Sequence, residues 1–154
     1  MLTYASPGSE ELVVFGDEVL AIFQRYRQVG TGREAGGQLF AAFNGKTMSI
    51  ESATEPNRWD RRGRFSFMPS RIRERMDIRR MHKRNLHYVG DWHTHPERLP
   101  RPSSQDLRSI AECFEKSIKD IGTFLLVVVG TDPFPEGLYV GLHDGIQFRP
   151  IPAS

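Results

Sequence analysis

Two histidines one residue apart, followed at set distances by a serine and an aspartate, are the residues of this 154-residue chain best placed to do chemistry. His93-Thr94-His95 closes a segment, residues 87–95, that reads as a β-strand and is ended by Pro96. Residues i and i+2 of a strand point to the same side, so the two imidazoles can converge on one ion while Trp92 and Thr94 face away. Ser103 follows eight residues after His95, and Asp106 three later. Ser103 is suited to cap a helix, which puts Asp106 in the first turn, where free N–H groups and the helix dipole favour a carboxylate. Two imidazoles and one carboxylate make a three-ligand site, and zinc in such a site keeps its fourth position for water. A lone histidine is ordinarily a surface or core residue, and Ser103 with Asp106 alone is only a helix start. With 5 His, 11 Ser and 8 Asp in the chain, a shuffled sequence would show the joint spacing in roughly one case in a thousand.

The elements that must position these residues can be read from periodicity. Residues 1–10 read as a loose lead-in, and 12–15 as a short apolar strand. Val19, Ile22, Phe23 and Tyr26 form one face of a helix over 17–28, with Asp17 at its start and Gly30 at its stop. Residues 36–43 and 46–53 flank Asn44-Gly45, a strong hairpin signal. Residues 55–63 read as a charged loop, 64–68 as a short strand, and Ser70 as the cap of a basic helix running to about residue 84. Pro100 and Pro102 stiffen the loop before Ser103, and Leu107, Ile110, Ala111, Phe114 and Ile118 give the next helix its apolar stripe. Residues 123–129 are apolar on both faces, as a central strand requires, and 137–142 with 146–149 make a further strand pair. The order predicts one α/β domain with a mixed sheet and helices packed on it.

Composition bounds the rest. Apolar residues make up 38% and charged residues 26%, ordinary for a soluble domain with a core. The longest apolar run falls far short of the ~20 residues that span a bilayer. The start, MLTYASPGSEEL, has no basic stretch followed by an apolar one, so no secretory leader is expected. The single cysteine, Cys113, excludes an internal disulfide framework and a cysteine-only zinc site, and suits a reducing compartment, the cytoplasm.

The spacing H-x-H-x7-S-x2-D is the signature of the JAB/JAMM (MPN) zinc metalloprotease family, which this chain resembles over most of its length. That family carries a glutamate upstream, and Glu34 occupies the place in Gly32-Arg33-Glu34-Ala35-Gly36-Gly37-Gln38-Leu39-Phe40. The resemblance implies a single JAB/MPN domain over residues 1–154, a curved mixed sheet flanked by helices in a cytidine-deaminase-like layout. It implies one zinc per chain on His93, His95 and Asp106, with Glu34 as general base and Ser103 helping to hold the oxyanion. A free glutamate, with pKa ~4.3, is a poor acid at neutral pH, so partial burial is expected to raise Glu34. The stretch from Tyr88 to Glu97, with Pro100, Pro102-Ser103-Ser104 and Asp106, is similar to stand-alone bacterial JAB proteins. Some of these accompany ubiquitin-transfer-like enzymes in antiphage defence operons of the cyclic-oligonucleotide (CBASS) type. That implies hydrolysis of a peptide or isopeptide bond just after the C-terminus of a ubiquitin-like or C-terminally conjugated protein. Trimming of a ubiquitin-fold sulfur carrier is the alternative. Either partner should present an extended C-terminal tail, since a buried peptide bond cannot reach a metal at a strand end, and such a tail can add to a sheet edge.

Other functional classes find less support. The formal charge of +2 is uneven: residues 58–84 hold eleven Arg or Lys against Asp60, Glu74 and Asp77, which is +8 and leaves −6 elsewhere. This segment reads as a solvated helix or a dock for an acidic protein. A nucleic-acid-binding module is a third reading, with Trp59, Phe65 and Phe67 available to stack. Cys113, beside an apolar stripe, reads as a packing cysteine and not a nucleophile. His82, His87 and His143 lack ligand spacing. A cytidine-deaminase type of zinc site needs a P-C-x-x-C run, which is absent.

Overall fold

The computed structural model describes residues 1–117 and 122–154, with 113–117 described by backbone alone. In chain order its first elements are β1 (Leu2–Ala5), β2 (Leu12–Phe15), α1 (Asp17–Arg25), β3 (Gly36–Asn44), β4 (Thr47–Ala53), β5 (Arg61–Arg62) and β6 (Phe67–Met68). Then come α2 (Arg71–His82), β7 (His87–Thr94), α3 (Ser104–Ser117), β8 (Phe124–Val129), β9 (Leu138–His143) and β10 (Phe148–Pro150). Eight strands form one sheet in the order β1-β2-β4-β3-β7-β8-β9-β10, parallel at β2–β4 and β7–β8 and antiparallel elsewhere. The sheet curls until its ends meet: Tyr4 bridges Ala153, and Ala5 N–H donates to the Pro152 carbonyl. This is the mixed, curved α/β domain expected from the sequence. Among the described residues, no helix is long and apolar enough to cross a membrane.

The apolar run of β8 is explained by a layer on each face. Leu125, Val127 and Val129 join Val19, Leu20 and Phe23 of α1 in the main core, while Phe124, Leu126 and Val128 pack with Ile110 of α3. On that second face, Met81 and Ile78 of α2 cover Phe40 and Leu86. The strand bearing the histidines is thus central, bonded to β3 on one side and β8 on the other.

The structure corrects several local expectations. Leu2–Ala5 is not a loose lead-in but an edge strand, because Tyr4 is buried against Phe15 and the chain pairs with β2 and the C-terminal segment. The hairpin turn falls at Gly45-Lys46, with Asn44 still paired to Thr47. Gly45 takes a φ of +60°, which suits glycine at the first position of a II′ turn. Helix α1 ends at Arg25, short of residue 28, because Gln28 turns inward to donate to the Gly32 and Arg64 carbonyls. Residues 55–68 are not a loop plus one strand: Arg61–Arg62 pairs with Phe67–Met68, and strands of two residues are too short to leave a period in the sequence. The packing assigned to Cys113, and to Phe114 and Ile118 in the helix stripe, lies outside the described residues.

Candidate metal centre

The path of β7 decides where the histidines point. Leu39 pairs with Gly90 and Phe40 with Tyr88, so Val89 is an extra residue, a β-bulge. A bulge shifts the alternation of faces. Val89 and Trp92, three apart, both enter the main core, and Tyr88 and Asp91 share the opposite face, where Tyr88 Oη donates to Asp91 Oδ1 at 2.6 Å. His93 continues on Asp91's side, and His95 follows just past the strand end, its N–H donating to the Val129 carbonyl at 2.9 Å.

Thr94, fully buried between the two histidines, fastens this end to the segment carrying Glu34. Its N–H donates to the Ala35 carbonyl and its Oγ1 accepts from Ala35 N–H, both at 2.9 Å. The Thr94 hydroxyl donates to Gln28 Oε1 at 3.3 Å, so Gln28 ties α1, the β5–β6 hairpin and this strand end together. Glu34 is fixed by its main chain: its N–H donates to the Gly63 carbonyl at 2.6 Å and its carbonyl accepts from Arg62 Nε at 3.0 Å. The glycines that follow let the strands close up. A Cβ on Gly36 would lie 2.7 Å from the Trp92 carbonyl oxygen, and one on Gly37 2.2 Å from that of Thr54.

The carboxylate from the other side arrives on a reciprocal cap. Ser103 N–H donates to Asp106 Oδ2 at 2.7 Å, and Asp106 N–H donates to Ser103 Oγ at 3.1 Å. The loop before it is held by Thr131 N–H on the Glu97 carbonyl at 2.9 Å and by the Arg98–Asp132 ion pair at 2.9 Å.

These elements bring five predicted residues, Glu34, His93, His95, Ser103 and Asp106, to one place. His93 Nε2 and His95 Nε2 are 3.1 Å apart, and Asp106 Oδ2 lies 3.2 Å from the first and 3.4 Å from the second. Donors about 2.0–2.1 Å from a tetrahedral metal are separated by about 3.3 Å, so the triangle has the size of three tetrahedral corners. Two imidazole nitrogens and a carboxylate oxygen converging at this spacing are a set that fits a divalent cation. The Glu34 carboxylate comes within 4.8 Å of both imidazole ligand atoms. Glu97 Oε1 stands 3.4 Å from His95 Nδ1, which has no hydrogen-bond partner among the described residues. A carboxylate there favours a proton on Nδ1 and leaves Nε2 free to ligate.

Charge follows the geometry. Burial raises the Glu34 carboxyl above its ordinary value; His93 and His95 oppose this and Asp106 adds to it. Burial acts to raise Asp106 too, but hydrogen bonds to His93 and His95 hold it far below the carboxylate range. His95 is raised although burial opposes it, because of Asp106. The site opens into a groove of ≈800 Å³ lined by Glu34, His95, Ser103 and Asp106 and by the tip of the β5–β6 hairpin. A second pocket of ≈290 Å³ runs from His93 and Asp106 toward Arg71 and Glu74.

Asp91, on the floor of that pocket, had no role in the sequence reading; burial pushes it up to about 7 against its Tyr88 hydrogen bond. Its i−2 relation to His93 was the available signal. His82 and His87 pack edge to face against each other, ring centroids 5.9 Å apart, and line neither pocket of the site, and His143 accepts from Gly145 N–H at 3.0 Å in a turn.

The family described as prokaryotic homologs of the JAB domain matches residues 17–138. A Pseudomonas aeruginosa protein named CD-NTase/cGAS isopeptidase is 33% identical over 98% of both chains. A Vibrio cholerae protein of the same name is 28% identical over 82% of this chain and 81% of its own. The solution structure of protein DSY2949 from Desulfitobacterium hafniense superposes with a TM-score of 0.62 at 17% identity, covering 90% of this chain and 88% of that one, and shares the fold. With a match over most of its length and a full-length relative at one-third identity, the chain belongs to the prokaryotic JAB-domain homologues.

Proposed function

We propose that this protein is a zinc-dependent isopeptidase that removes a protein joined through its C-terminus to a target, with His93, His95 and Asp106 as ligands, Glu34 as general base and Ser103 as oxyanion donor. The observation that carries the reading is the triangle of acceptors at 3.1–3.4 Å beside a buried carboxylate, at the floor of an open groove. Zinc held there would supply Lewis acidity, polarising the scissile carbonyl and lowering the pKa of a water to about 7. Glu34 takes the proton of the attacking water and delivers it to the leaving amine, a task suited to a carboxyl raised by burial. Ser103 Oγ accepts from Asp106 N–H as a cap, which leaves its own proton free to stabilise the developing oxyanion. The groove takes the extended tail.

The relatives' shared name favours a CD-NTase as the conjugated protein, in antiphage defence within the cytoplasm, over trimming of a sulfur carrier. The test is a CD-NTase joined through its C-terminus to green fluorescent protein and incubated with the zinc-loaded enzyme. Cleavage directly after the CD-NTase C-terminus, located by mass spectrometry, is expected. An intact fusion beside efficient trimming of a sulfur-carrier precursor would transfer the activity to the alternative substrate.

Ser103→Ala should retain metal yet lose roughly 10²–10³ in kcat, the usual cost of one oxyanion donor. Loss of the cap should lower stability by about 1 kcal/mol, so melting temperature and rate need to be measured together. A rate equal to wild type would leave Ser103 only its capping role.

A further inference from the structure

We propose that the outward face of α2 docks the folded body of an acidic protein substrate while its tail lies in the groove, an inference that rests on the isopeptidase reading above. Helix α2 has two dissimilar sides. Inward, Asp77 and Met81 are buried and Ile78 packs toward Phe40 and Leu86. Outward, Ile72, Arg75, Met76, Arg79 and Lys83 recur every three or four residues and so form one stripe. Ile72 is 67% exposed and Met76 50%, and Met68, just before the cap residue Ser70, is 63% exposed. Three large aliphatic side chains among arginines are not what solvation alone selects. An apolar centre in which methionine and arginine are frequent and the rim is charged is the anatomy of a protein interface.

The charges on this helix are partly matched from within. Arg71 pairs with Glu74, and Arg73 and Arg80 pair with Asp77. Among the described residues, no carboxylate comes within 4.0 Å of Arg75 or Arg79. Arg75 and Arg79 therefore leave unmatched positive charge on the outward face, and the complementary surface is acidic with an apolar centre. Aliphatic residues on this stripe favour a protein over a nucleic acid, whose bases would stack on aromatic rings. The exposed aromatics Trp59 and Phe65 lie off the helix, with Arg58 5.9 Å and Arg64 5.3 Å from their ring centroids. The N-terminal end of α2 adjoins the site: Met68 before it, and Arg71 and Glu74 beside the stripe on its inner side, line the pocket that also reaches His93 and Asp106. A body seated toward that end of α2 would adjoin the pocket that leads to the triangle.

The experiment compares two probes, the CD-NTase–green fluorescent protein fusion and the C-terminal tail of the same CD-NTase as a fluorogenic peptide amide. Two double variants, Arg75→Glu with Arg79→Glu and Ile72→Ser with Met76→Ser, are each expected to raise KM for the fusion at least ~10-fold with kcat little changed. Both should cut the tail peptide at the wild-type rate, which also reports an intact fold. Added salt should raise the wild-type KM for the fusion toward that of the charge-reversed variant. Variants that match wild type on the fusion, or that lose fusion and peptide cleavage in equal measure, overturn the docking face. So does a charge-reversed protein that loses binding to random duplex DNA while its fusion kinetics stay unchanged. Wild-type enzyme that cuts neither probe removes the isopeptidase reading itself.

Discussion

Glu34→Gln should yield a protein that binds zinc as wild type does and turns over ~10²–10⁴-fold more slowly, the range for lost acid–base catalysis. The glutamine keeps the shape of the side chain and can still hydrogen-bond to a water, but it can neither accept that water's proton nor pass one to the leaving amine. The main-chain bonds that fix the residue, to the Gly63 carbonyl and from Arg62, do not involve the side chain and should survive. Stability gives an independent check. A carboxyl whose folded pKa is raised binds its proton more tightly folded than unfolded, so above both pKa values its ionisation costs stability. The neutral amide removes that cost, and metal-free Glu34→Gln should melt no lower than metal-free wild type at neutral pH. Since the groove is untouched, the variant should also hold the CD-NTase fusion uncut, as a stable complex on a sizing column. Zinc loss in this variant would make Glu34 a ligand, and wild-type turnover would place the base elsewhere.

What could be read from the sequence was what depends on near neighbours. The convergence of His93 and His95 follows from strand alternation, and the first-turn place of Asp106 from a serine cap three residues earlier; both are local rules, and the structure places these side chains as those rules require. The two layers of helices followed from β8 being apolar on both sides. What could not be read depends on partners distant in the chain. The bulge at Val89 exists only against β3, and it is this bulge that brings Asp91 onto the face of Tyr88. Leu2–Ala5 becomes a strand because the far end of the chain returns beside it. Gln28 reads as the tail of an amphipathic helix until its amide is seen between Gly32, Arg64 and Thr94, more than thirty residues away in the last two cases.

Removing a proposed ligand should give the opposite phenotype to removing the proposed base. His93→Ala, His95→Ala and Asp106→Ala should each lower zinc content from one per chain to a small fraction and abolish turnover, because two donors remain where a closed triangle of 3.1–3.4 Å stood. Thermal melting gives a readout that does not pass through activity. A metal that binds only the folded state stabilises it by RT ln(1 + [L]/Kd), about 4 kcal/mol at a thousandfold excess over Kd, so zinc should raise the melting temperature of wild type by several degrees. The increment should vanish in the three variants and persist in Glu34→Gln. Asp106 needs one further control, since its carboxylate also accepts from Ser103 N–H and its loss disturbs the start of α3. In Asp106→Asn an amide oxygen can still take that hydrogen bond, while the anionic donor is gone. If Asp106 acts as a ligand, the asparagine variant should gain nothing from zinc, whatever its metal-free melting temperature. An asparagine variant that zinc stabilises as much as wild type would assign the third ligand to Glu34, the other carboxylate within reach of both imidazoles.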